Sequence, residues 1–88
     1  MIIASTDIIR GSHNYGDTMT SYDINEAVDF IQNSDMNNLN CNITRKDSVI
    51  ILTSLYDNCT DTGIIRCETE EQAIVIYEIL NCMNIHNV

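Results

Sequence analysis

The 88 residues carry thirteen Asp and Glu against four Lys and Arg, a formal charge of −9 at pH 7, with 44% hydrophobic residues and no proline. A chain this short folds around one core and leaves no material for a second lobe, and its apolar content is too high for disorder. The charge opposes direct binding of nucleic acid, which requires clustered Lys and Arg.

Fifteen isoleucines and eleven asparagines have the look of an AT-rich genome, which should also enrich lysine, yet Lys46 is the single lysine. Mutational bias therefore does not account for the charge. The value of −9 also lies outside the net charge of roughly 2 to 8 that keeps a small domain soluble. Residues Met1 to Asp7 contain no basic region and no long apolar run, so the expectation is a cytoplasmic protein with no export signal and no membrane span. Cys41, Cys59, Cys67 and Cys82 then read as free buried thiols rather than as a disulfide framework.

In chain order, Ile2 to Ile9 reads as a strand and the polar, glycine-containing segment Arg10 to Met19 as a loop. A helix starts after Asp23, with Glu26 three residues on and Ile24, Ala27, Val28 and Ile31 on one face; Asn33 and Ser34 end it. Cys41 to Arg45, Ser48 to Tyr56 and Gly63 to Cys67 are three strands. The second is β-branched and apolar enough to be central. Arg45-Lys46-Asp47 is a tight turn and Asp57 to Gly63 a longer one, which makes the strands antiparallel hairpins. Thr69-Glu70-Glu71-Gln72 forms a capping box for a helix from Glu70 to about Asn84, with Ala73, Ile76, Tyr77, Ile79, Leu80 and Met83 as its core stripe. The sum is a single small α+β domain over residues 1–88, ordered β-α-β-β-β-α, an antiparallel sheet with two helices on one face.

No catalytic, metal or cofactor motif stands out, so no cofactor and no enzymatic activity are expected. The cysteine intervals contain no Cys-x-x-Cys pair, and His13 and His86 lie at opposite ends of the chain. Asp57 to Glu68 partly matches a calcium-loop register but has Thr62 where that loop needs glycine. Gly11 and Gly16 neither form a Gly-x-Gly pattern nor directly precede a helix. The Arg10 to Met19 loop, with His13 and Tyr15, is a distant candidate for a ligand pocket.

What remains is the acidic surface. Glu70, Glu71 and Glu78 share the side of the last helix away from its core stripe, with Ile74 in their midst as an apolar anchor ringed by charge. Asp23, Glu26 and Asp29 form a second outward patch on the first helix. Solvated helix faces ordinarily mix Glu with Lys four residues apart for support, and no helical carboxylate here has such a neighbour. The leading expectation is a small binding protein whose carboxylates imitate a phosphate backbone and occupy a basic, nucleic-acid-binding groove on a host protein. Size and composition suit a phage or mobile element, where inhibitors of this kind block host nucleases or CRISPR effectors.

The alternative is a homo-oligomeric structural or regulatory module. Val75, Ile79 and Cys82 widen the apolar side of the last helix, and Val49, Ile50, Ile51 and Leu52 place apolar side chains on both faces of the sheet, so a homodimer could supply cover. Phe30, off the first helix's stripe next to Glu26, is a further interface candidate, the alternative being that it packs under the Tyr15 loop.

Overall fold

The structure is a computed structural model that describes residues 1–11, 16–37, 40–56, 58 and 60–86, with side chains through Cys82. Its elements are β1 (Ala4–Ile9), β2 (Thr18–Ser21), α1 (Ile24–Gln32), β3 (Cys41–Lys46), β4 (Val49–Ser54), β5 (Thr62–Cys67) and α2 (Glu70–His86). The expected α+β order is present, and one further short strand, β2, joins the sheet ahead of α1. It takes in Thr18 and Met19, the last residues of the segment expected to be loop. Five strands run in the order β2-β1-β5-β4-β3, with every neighbouring pair antiparallel. β4 is an interior strand as its composition requires, but the centre of the sheet is β5.

Local chemistry sets the ends of the elements. The Asp23 carboxylate accepts from the Glu26 N–H at 2.9 Å, and Glu26 reaches back to the Tyr22 N–H at 3.1 Å, which fixes the start of α1. The Ser34 hydroxyl donates to the Ile31 carbonyl at 2.7 Å where that helix ends. At α2 the expected capping box is closed in both directions, Gln72 N–H to Thr69 Oγ1 and Thr69 N–H to Gln72 Oε1, each 3.2 Å. Lys46 pairs with Val49 across a two-residue turn in which Asp47 takes φ +55°, a left-handed conformation that Asp tolerates better than most residues. Gly16 passes so close to the Ile8 carbonyl that a Cβ would lie 1.3 Å from its oxygen, so only glycine fits where the chain enters β2.

Both helices cover one face of the sheet. Ala4, Ile8, Cys41, Ile50, Leu52, Ile65 and Cys67 on the strands meet Ala27, Val28 and Ile31 of α1 and Ala73, Ile76 and Leu80 of α2, all buried. Each large aliphatic group fully buried in this layer stabilises by about 1.5–3 kcal/mol relative to exposure. Phe30 packs partly buried against the core, so it is a core contact rather than an exposed anchor.

The register puts the alternate residues on the other, uncovered face in three cross-strand rows: Ser5-Arg66-Val49-Lys46, Asp7-Ile64-Ile51-Thr44 and Ile9-Thr62-Thr53-Asn42. Ile51 there is 39% exposed. The strand reading that placed apolar groups on both sides of β4 therefore corresponds to one packed and one open face.

A single cation ties the connections together at one end of the sheet. Arg10, just after β1, holds Asp35 at 2.7 Å, Asp61 at 3.2 Å and Asp17 at 3.3 Å. These three acids belong to the α1–β3, β4–β5 and β1–β2 connections respectively. The Gly11 N–H adds a bond to Asp61 at 2.9 Å. The hydrogen bond to Asp35, more than any other contact, raises the guanidinium pKa beyond its ordinary value, so the clamp keeps its positive centre at every accessible pH.

Two stability outcomes follow from these contacts. Thr6 Oγ1 and Ser21 Oγ are buried and make no hydrogen bond among the described residues. Because an unsatisfied buried hydroxyl is unfavourable, Thr6→Val should raise unfolding stability by about 1 kcal/mol in urea titration. Arg10→Gln should lower stability by about 1 kcal/mol, with a smaller loss at high salt because the partners are part-exposed and their repulsion is screened.

Candidate functional site

Ala4 pairs with Ser21 on one side and Cys67 on the other, so β2 and β5 end level with each other. α1 begins three residues beyond Ser21 and α2 three beyond Cys67, and both helices therefore start at the same end of the sheet. The two acidic groups expected from the sequence, Asp23 and Glu26 on one helix and Glu70 and Glu71 on the other, share that end. Helix N-termini favour negative charge there, and this accounts for part of the concentration.

The two groups differ in how free they are. Asp23 and Glu26 are engaged in starting α1, while Asp29 is exposed further along that helix. On α2, Glu70, Glu71 and Glu78 are exposed and make no ion pair among the described residues. Glu68, exposed just before the helix, is likewise unpaired among them. Glu71 and Glu78 lie seven residues apart, about 10 Å along the helix axis and nearly in line.

The apolar residues of α2 are placed differently from expectation. Its core meridian runs through Ala73, Ile76 and Leu80, which turns Glu71, Val75, Glu78 and Cys82 to the outside. Ile74, the apolar residue expected among the carboxylates, is half-buried, whereas Val75 is 41% exposed between Glu71 and Glu78. Ile79 packs partly buried against the core, so the expected grouping of Val75, Ile79 and Cys82 is split, with Val75 and Cys82 outward. Helical angle alone does not choose between Ile74 and Val75, because the extra apolar residues around α2 blur the centre of its core stripe.

The basic residues explain why the acidic face stays unbalanced. Arg10 serves three carboxylates, and Arg66 pairs with Asp7 at 2.7 Å across the junction of β1 and β5. Arg45 donates to the Asp47 carbonyl at 2.9 Å in the β3–β4 turn. None of these cations stands on either helix. Groups of three or more side chains able to hold a metal ion do not occur among the described residues. His13, Tyr15, Asp57 and Cys59, which entered the pocket, calcium-loop and thiol readings, lie outside the described residues. No described helix is long and apolar enough to cross a membrane. No family model, curated protein or solved structure matches the chain.

Cys41, Cys67 and Cys82 form no disulfide among the described residues, the first two being buried and the third exposed. Burial pushes the Cys67 thiol pKa up, which further lowers its reactivity. Brief alkylation of the folded protein followed by peptide mass spectrometry should modify Cys82, with Cys41 and Cys67 reacting only after denaturation.

Proposed function

We propose that this chain is a small acidic binding protein that acts by occupation rather than catalysis, filling a basic, nucleic-acid-binding groove of a larger host protein with its own carboxylates. The observation that carries this reading is the outward face of α2. Glu71 and Glu78 are exposed there on either side of the exposed Val75, and Glu70 is exposed on the flank of the first turn, all three without a cationic partner among the described residues. Unpaired carboxylates on a rigid helix steer association toward a positive cleft, and binding releases the cleft's counterions as a phosphate backbone would. Val75 adds an apolar contact between two carboxylates, an anchor that a partner would bury. Asp29, with the capping residues Asp23 and Glu26, extends the negative field at the same side of the molecule. The isoleucine- and asparagine-rich composition and small size support an origin in a phage or mobile element, with action in the host cytoplasm on a nuclease, a CRISPR effector or another nucleic-acid-processing protein.

The test is retention of a target from host lysate on the immobilised protein at about 0.15 M salt, followed by elution with salt and, separately, with competing DNA. The expected target is a nucleic-acid-binding protein released by both eluents. Glu71→Lys with Glu78→Lys should abolish its retention and any inhibition of its activity, while thermal unfolding stays close to that of the parent. A folded double variant that still captures the same target removes the acidic face of α2 from the interface. Retention that DNA does not compete removes the mimicry.

A further inference from the structure

The face of the sheet opposite the helices has a composition unlike the rest of the molecule. Across all five strands the only carboxylate is Asp7, and it is paired with Arg66. The register puts two cations, Arg66 and Lys46, on the same face as this one carboxylate. A protein of net charge −9 thus has one broad surface whose own formal charge is slightly positive. At its middle Ile51 lies opposite Ile64, with Val49 and Ile9 on the diagonals, and threonines 18, 20, 44, 53 and 62 surround them. Leu55, 52% exposed, continues the alternation of β4 beyond its last residue.

We propose that this open face is a self-association surface, on which a second copy of the chain packs its own open face to form a two-fold dimer of layers α-β-β-α. Electrostatics selects the occupant. Two copies meeting through their helices would bring unpaired carboxylates together, whereas meeting through the sheets keeps both acidic faces on the outside, as far apart as the dimer allows. Geometry permits it, since two antiparallel sheets with β-branched inner faces stack about 10 Å apart at a small angle. A two-fold axis is the ordinary way for one patch to complement itself. Five strands at about 4.8 Å and some six residues at about 3.4 Å give a face of roughly 500 Å². Two such faces come to about 1,000 Å², the lower bound of a specific interface, which suits a weak, reversible dimer rather than an obligate one. Because α2 stays outward on both copies, the dimer does not depend on whether the acidic face binds a partner.

Salt separates this association from the acidic one. The residual repulsion between two negatively charged copies is screened by salt, so the dimer tightens as salt rises from about 0.05 to about 0.5 M, while binding to a basic groove weakens. Sedimentation equilibrium of the full chain over that range should show a monomer–dimer equilibrium moving toward dimer. Ile51→Asp should weaken it at least tenfold with little change in the melting temperature, because Ile51 is exposed and the substitution acts twice in a two-fold interface. Val75→Asp should leave it unchanged. Should Ile51→Asp lower the melting temperature, Thr53→Asp, exposed on the same face, carries the comparison in its place. A chain that stays monomeric at hundreds of micromolar in both salts overturns the proposal. So does a dimer broken by Val75→Asp and not by the substitutions on the sheet.

Discussion

Everything in this fold hangs on the pairing of β1 with β5. Six consecutive pairs, from Ala4 with Cys67 to Ile9 with Thr62, join strands almost sixty residues apart in sequence. They connect an N-terminal unit, the β1–β2 hairpin with α1, to a C-terminal meander of β3, β4 and β5 with α2. Without that ladder each unit would expose one flank of its strands and the apolar side of its helix, and a two-stranded hairpin alone is marginal in water. The pairing carries the entropy of closing a long loop, and the chemistry placed along it is correspondingly favourable. Ile65 stands opposite Thr6 in the buried layer, Gly63 lets Leu52 close over it, and Asp7 pairs with Arg66 on the open side.

The same junction shows how sparingly the chain uses positive charge. Arg66 stitches β1 to β5 on the open face, and Arg10 draws in the three connections at the far end of the sheet. Arg10 is the more consequential of the two. Its partners Asp17, Asp35 and Asp61 come from segments that share no backbone ladder with one another, so one guanidinium does what several turn contacts would otherwise have to do. An arginine suits the task because its planar fork reaches several carboxylates at once without losing its charge. With the three arginines engaged in these places and Lys46 on the open face of the sheet, no cation stands on α2 beside Glu70, Glu71 or Glu78.

The elements that were legible in the sequence are those with local causes. Thr69 with Gln72 and Asp23 with Glu26 announce their helices because capping is a three-residue interaction, and Val49 to Leu52 announce a strand because β-branching acts residue by residue. β2 was not legible. Its Thr18-Met19-Thr20-Ser21 is four residues long, mostly polar, and becomes a strand only because β1 offers a ladder beside it. The order of the strands was equally hidden, since nothing local in Ala4 to Ile9 states that its partner is Thr62 to Cys67. At the acidic face the glutamates were readable from helical spacing alone. The exchange of Ile74 for Val75 as the exposed apolar residue was not, because it turns on a rotation of α2 set by where Ala73, Ile76 and Leu80 meet the sheet.

The segregation of charge follows in part from secondary structure itself. Strands disfavour Asp and Glu, helix N-termini favour them, and both helices begin at one end because β2 and β5 end level. A two-sided molecule, acidic on the helices and near neutral on the open sheet, is the natural outcome of this topology. Topology does not require the rest of the pattern. Lysine at one of the exposed positions among Glu71, Val75 and Glu78 would cost nothing in packing and would add helix support through an i, i+4 or i, i+3 pair. Its absence, in a composition that elsewhere favours AT-rich codons, is a departure in the direction opposite to both stability and mutational drift. For that reason the negative charge on α2, rather than the charge gathered at the helix starts, carries the argument for a basic partner.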